Sequence, residues 1–212
     1  MKNEEIIFDL DGTLWDSSEQ VAKVWCNVLA HQPDAERPVT AADMKNLMGK
    51  TMTDVFKALM PSLSEKRRAE IGAECCRAEQ ENLLKCGASL YPGVPETLET
   101  LSRSYRLAIV SNCQKGYIES FLNHYRFGHF FADTECFGQT GKCKGENIRI
   151  LLNRSRPEKA VYVGDTLLDF EAAQLAGIPF LHAAYGFGKV PGAAFISDFR
   201  TLPRAVADIL QE

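Results

Sequence analysis

The stretch IIFDLDGTLWD, residues 6–16, decides how this chain is read. An apolar run leads into two acids at alternate positions, Asp9 and Asp11, and Gly12-Thr13 follows. Neighbouring carboxylates repel, and burying either is costly without compensation. The apolar run is continuous rather than alternating, which predicts a strand covered on both faces in a parallel sheet. Both acids then stand at its carboxyl end.

The same pattern recurs along the chain. Residues 5–10, 107–110, 160–164 and 179–184 read as buried strands, with a short strand at 133–136 and an edge strand near 194–197. Between them lie helical periodicities at 94–103, 116–124, 145–153, 167–176 and 202–210, the fourth stopping at Gly177. Alternating strands and helices predict an α/β fold, a doubly wound and mainly parallel sheet. One region departs from this. Segments 18–31, 41–48, 53–60 and 65–84 are all helical in period, which predicts a small α-helical domain inserted after the first strand. The expected division is a core of 1–15 and 87–212 and an insert of 16–86. Trp15 and Trp25 are expected to pack the hinge between them.

Ligands of open α/β sheets bind at the carboxyl ends of the strands. Asp9 and Asp11 close the first predicted strand, Ser111 and Asn112 the second, and Asp165 a third, with Asp169 four residues on. Converging acids need a counter-charge, and Mg²⁺ suits carboxylates that share it with waters and a substrate phosphate. Lys144, with Lys142 as the rival two residues away, would add a second cation. Thr13, Ser111 and the backbone amides at Gly12 and Asn112 can bind phosphate oxygens. An aspartate can attack phosphorus, and a second acid can handle the proton.

Composition narrows the function classes. The 212 residues are 45% hydrophobic and 25% charged, with a formal charge of -4, so no basic footprint suggests a nucleic-acid partner. No stretch approaches the roughly 20 apolar residues of a membrane span. No signal-peptide pattern is seen, so a cytoplasmic protein is expected. The seven cysteines include no CxxC, and most read as packing residues in a reducing compartment, Cys113 standing apart because it lies next to Ser111-Asn112. Gly49-Lys50-Thr51 lacks the first glycine of a phosphate loop, and Gly186-Phe187-Gly188 lacks the third glycine of a dinucleotide fingerprint.

Taken together, FDLDGTLWDS, IVSN, the lysine of GKCKGENI and YVGDTLLDFEAA resemble the four motifs of the haloacid dehalogenase superfamily of phosphotransferases. The helical insertion resembles the cap of its phosphoglycolate-phosphatase and β-phosphoglucomutase-like members. This resemblance implies Asp9 as nucleophile and Mg²⁺ ligand, and Asp11 as general acid/base with its backbone carbonyl on the metal. It implies Ser111 and the Asn112 backbone on the phosphoryl group, and Lys144 balancing charge. Asp165 is implied as a metal ligand, and Asp169 as a further metal residue, either a ligand itself or a support behind the ligands. Relatives often continue Lys-Pro-x-Pro, whereas Lys144 is followed by Gly145-Glu146-Asn147. LMGKT resembles the cap's substrate-reading loop, with Lys50 facing a second anionic group. The expected activity is Mg²⁺-dependent hydrolysis of a small phosphorylated metabolite, a phosphoglycolate- or sugar-phosphate-like monoester, through a phospho-aspartate. A phosphomutase, or a phosphate-binding protein without turnover, are the alternatives. A monomer is expected, a dimer being the alternative.

Overall fold

The structure, a computed structural model, describes residues 3–35 and 37–211. The first strand, β1 (Glu4–Phe8), is buried throughout and forms parallel ladders on both sides. After the turn at Gly12 the chain makes a two-residue strand, β2 (Trp15–Asp16), and enters four helices: α1 (Ser18–Leu29), α2 (Ala41–Leu47), α3 (Met52–Leu59) and α4 (Glu65–Cys86). It returns through β3 (Ser89–Leu90), which pairs antiparallel with β2. The exit and the return therefore run side by side. A ribbon this short has little stability of its own, so it suits a hinge. The periodicity of residues 15–16 and 89–90 is too short to show in sequence, and no strand was expected there.

Strand and helix then alternate through α5 (Val94–Ser102), β4 (Arg106–Ser111), α6 (Tyr117–Tyr125), β5 (Phe131–Cys136), α7 (Phe137–Thr140), α8 (Lys144–Ser155), β6 (Lys159–Gly164), α9 (Leu167–Ala176), β7 (Phe180–Ala183), β8 (Phe195–Ile196) and α10 (Leu202–Gln211). The main sheet has the order β5-β4-β1-β6-β7-β8, and every pairing is parallel. Only the short helix α7 and a single 3₁₀ turn at Phe199–Thr201 fall outside the expected helices of the core.

Side chains of β1 alternate between two cores. Ile6 and Phe8 join the larger cluster, with the aromatic residues of α6 and the apolar faces of α5 and α10. Ile7 joins Ala108, Val110 and Tyr162 against Ile148, Leu151, Ala172 and Ala173 of α8 and α9. Burial on both faces is why β1 shows no polar alternation. Because β4 and β6 flank β1, the chain winds away in both directions from this strand. The carboxyl ends of β1, β4 and β6 thus lie side by side at a switch point.

The tryptophans divide differently from expectation. Trp15 does sit at the ribbon, edge-on to Tyr117, Phe121 and Tyr125 of α6. Trp25 lies inside the helical insert instead, stacked on Phe56 with ring centroids 4.7 Å apart. Its indole N–H donates to Glu79 Oε2 of α4 at 2.9 Å. No helix among the described residues is long and apolar enough to cross a membrane.

Candidate active site

Asp9 is the first residue beyond β1, and its amide still donates to Val163 of β6 at 2.8 Å. The side chain is buried, and one oxygen from each of Asp9, Asp165 and Asp169 can lie within 4.8 Å of the others. Lys144 opens α8 and points into this group. Its Nζ stands 3.0 Å from Asp9 Oδ1 and 2.5 Å from Asp169 Oδ1. Lys142 is exposed, so the rivalry between the two lysines falls to Lys144.

Asp169 is held tightly by the protein. Its Oδ2 accepts from the Thr166 hydroxyl at 2.6 Å and from the amides of Thr166 and Asp165 at 2.9 and 3.2 Å, closing a capping box on α9. With Oδ1 on Lys144, this carboxylate is occupied on both sides. Asp165 Oδ1 is buried with no hydrogen-bond partner, whereas Asp9 Oδ1 has the Lys144 ammonium as its partner. Three buried carboxylates face a single ammonium. Burial pushes the Asp9 carboxyl up to about 7, with Lys144 pulling it down and Asp169 pushing it further up. Asp165 is raised well above the ordinary range by burial first, then by the charges of Asp169 and Asp9. Burial works against the charge on Lys144, but Asp169 and Asp9 outweigh it and hold the ammonium charged. Three clustered carboxylates against one ammonium, with Asp165 Oδ1 left without a partner, fit a hard divalent cation taking oxygen ligands.

Asp11 stands apart from that group. Its Oδ1 accepts from the Ser17 hydroxyl at 2.5 Å and the Tyr117 hydroxyl at 2.9 Å, which turns the carboxyl toward the helical insert. Burial pushes it up to about 6, and the bonds from Ser17 and Tyr117 restrain the rise. The two acids that look alike in sequence therefore occupy different environments. Gly12 makes this possible. Its φ of +83° turns the chain, and a Cβ there would fall 2.2 Å from Asp165 Oδ2. Thr13 is fully buried, its hydroxyl oxygen unpartnered and its carbonyl accepting from Tyr185 at 2.8 Å.

Ser111, the last residue of β4, is buried beside these groups. The Asn112 side chain donates to the Gly49 carbonyl at 2.8 Å, fastening the loop between α2 and α3 to the core. Lys50, next in that loop, is exposed at the rim of the cleft between insert and core. The cleft as it stands has a volume of about 30 Å³, room for a few waters and not for a metabolite.

A model of the haloacid dehalogenase-like hydrolases matches residues 6–183. The chain belongs to this family. This hydrolase is 28% identical over 196 residues to a phosphoglycolate phosphatase of Aquifex aeolicus, covering 87% of this chain and 86% of the relative. It is 30% identical over 190 residues to one of Synechococcus elongatus, covering 87% and 85%. Its fold matches the crystal structure of a predicted phosphoglycolate phosphatase from Haemophilus somnus 129PT, with a TM-score of 0.80 at 24% identity over 97% of this chain and 99% of that one.

Several residues around the site of this hydrolase went unread in the sequence. Gly186 and Gly188 fail as a dinucleotide fingerprint, yet they wrap Asp165. A Cβ on Gly186 would lie 2.4 Å from the Asp165 Cβ, and one on Gly188 would lie 2.7 Å from its carbonyl oxygen. The Phe187 amide between them donates to Asp165 Oδ2 at 2.7 Å. The usable signal was a Gly-x-Gly following a buried strand, which marks close backbone approach whatever the ligand. Ser17, Tyr117, Glu79 and Gln114 offered no comparable signal, because their roles depend on the placement of the insert.

Proposed function

We propose that this hydrolase is a Mg²⁺-dependent phosphatase that hydrolyses a small phosphorylated metabolite through a phospho-Asp9 intermediate. The carrying observation is the separation of the two carboxylates: Asp9 among Lys144, Asp165 and Asp169, and Asp11 bound to Ser17 and Tyr117. Asp9, Asp165 and the backbone carbonyl of Asp11 would hold the cation, with Asp169 fixing Lys144 and the Asp165 loop. Bound there, Mg²⁺ would neutralise charge on the transferring phosphoryl group.

The remaining work falls to the chain. Asp9 attacks phosphorus and forms the acyl phosphate. Asp11 protonates the departing alcohol oxygen, then takes a proton from the water that cleaves the acyl phosphate. Ser111, Thr13 and the amide of Asn112 bind the phosphoryl oxygens, and Lys144 offsets their charge; the Gly12 amide, expected to join them, instead donates to the Trp15 carbonyl at 2.9 Å. The insert, residues 16–86, acts as a cap that turns on the β2–β3 ribbon and excludes water when closed. Lys50 rides on the cap's loop at the rim. The protein acts as a monomer on its substrate alone.

Phosphate release from p-nitrophenyl phosphate and a panel of phosphomonoesters, with and without Mg²⁺, tests this. Turnover is expected only with the metal, and Asp9→Asn is expected to abolish it. Asp11→Asn is expected to lower kcat by roughly 10²–10⁴, the usual contribution of a proton-transfer group. Activity surviving Asp9→Asn refutes the mechanism.

A further inference from the structure

Glu79 lies in the middle of α4, far in sequence from every motif, yet it lines the cleft with Asp9, Asp11 and Ser111. It is 3% exposed. Around it the insert presents an apolar wall of Val21, Trp25, Met44, Leu47, Met52 and Val55. A carboxyl group in such surroundings is costly unless it is paired. One oxygen accepts the Trp25 indole N–H, and no cation is paired with it among the ion pairs of the described residues. From the core side the same cleft is lined by Gln114, whose buried side-chain amide reaches Glu79 without a hydrogen bond of good geometry. Lys50 is the one cationic side chain lining the cleft among the described residues outside the Lys144 group, and it is exposed at the rim.

We infer that Glu79, with Gln114, is the specificity-determining pair of the cap: it receives a hydrogen-bond donor, a hydroxyl or an ammonium, on the leaving group of the phosphomonoester, and disfavours a leaving group that carries a carboxylate. This rests on the phosphatase reading above and names the substrate class of that same cleft. The phosphoryl group is bound at the Asp9 end, so a leaving group of a few atoms reaches toward Glu79. A donor there meets the Glu79 carboxyl and the Gln114 amide oxygen, which the cleft leaves short of a partner. A carboxylate there would be buried in the apolar cleft beside Glu79 and Asp11 with no buried cation to meet it. Burial, opposed by the bonds from Trp25 and Gln114 and assisted by the neighbouring Asp11 charge, pushes the Glu79 carboxyl up to about 8, so the group ionises near neutral pH when a cationic partner is brought to it. The chain thereby departs from the substrate in the printed names of its relatives, since phosphoglycolate bears a carboxylate on its leaving group.

The test is a kcat/KM comparison on the full-length Mg²⁺-loaded protein with phosphoethanolamine, glycerol 1-phosphate, 2-phosphoglycolate and p-nitrophenyl phosphate. The wild type is expected to favour the ammonium or hydroxyl substrate over 2-phosphoglycolate by about tenfold or more, the scale of a buried hydrogen bond gained or lost. Which of the two is preferred distinguishes an amine from a polyol. In Glu79→Gln the ratio is expected to fall at least fivefold, chiefly through KM, as the carboxylate acceptor for the donor is lost. Equal or preferential turnover of 2-phosphoglycolate by the wild type overturns the assignment, and this arm requires no variant to fold. A ratio unchanged in a Glu79→Gln protein of normal melting temperature also overturns it. Turnover of p-nitrophenyl phosphate with no preference within the panel removes the role of Glu79 alone. No turnover on any member removes the phosphatase reading beneath it.

Discussion

Replacing Lys144 by methionine removes the one ammonium between two buried carboxylates while keeping most of the side-chain volume. Contacts of 3.0 Å to Asp9 and 2.5 Å to Asp169 give attractions on the order of 5–7 kcal/mol each at an effective dielectric of about 20. Desolvating a fully buried ammonium takes back much of this. What decides the outcome is the pair of carboxylates left behind. Removing one partner of a buried ion pair costs about 3–5 kcal/mol. For a chain of 212 residues, each kcal/mol moves the melting temperature by about 2–4 °C, so a drop of roughly 6–20 °C follows. The pH dependence identifies the cause. The Asp9 carboxyl already stands at about 7, above its ordinary 3.8, and Lys144 is the influence holding it down. Without the lysine it rises further. A carboxyl raised in the folded state destabilises the fold once it must ionise. That penalty is absent below its unfolded value and grows as pH climbs through the folded one. The gap between variant and wild type should therefore be small near pH 4–5 and widest near pH 8. Unfolding followed by circular dichroism in EDTA at both pH values measures it, and Asp9→Asn added to Lys144→Met should recover about half the loss. A gap below about 2 °C at pH 8, or one equal at both pH values, refutes the electrostatic account.

Gly12→Ala places a Cβ 2.2 Å from Asp165 Oδ2 at a φ of +83°. It should cost about 1–2 kcal/mol in stability and raise the Mg²⁺ concentration for half-maximal activity, read from a metal titration of phosphate release. Tyr117→Phe removes a hydrogen bond that favours ionised Asp11, so its carboxyl should climb from about 6. The Asp11 limb of the pH–kcat/KM profile should move to higher pH by roughly one unit, the equivalent of a bond of about 1.4 kcal/mol. An unmoved limb would separate Asp11 from proton transfer. Asn112→Ala cuts the tether to Gly49, worth about 1 kcal/mol. Hydrogen exchange in residues 47–52 should quicken about fivefold, with the core strands unchanged.

Much of this molecule is local and was therefore legible in the sequence. The continuous apolar run before Asp9 determined a strand buried on both faces, because such a strand has no solvent side on which to place polar residues. The run of four helical periods determined an insertion, since no strand pattern interrupts it. The residues Asp9, Asp11, Ser111, Lys144, Asp165 and Asp169 were picked out by their positions at element ends. Tertiary structure alone decided how they differ. Asp9 and Asp11 carry the same side chain two residues apart, and the difference between them comes from Lys144 on one side and Ser17 and Tyr117 on the other. Lys142 and Lys144 were separated only by which one the start of α8 aims inward. Glu79 was an ordinary helical acid until the insert folded over the core and left it in an apolar cleft. Periodicity and turn chemistry act between residues close in sequence, and a linear reading recovers them. Burial and partnering of charge depend on groups brought together from more than sixty residues apart, as in Glu79 and Asp11, and only the folded chain sets those distances.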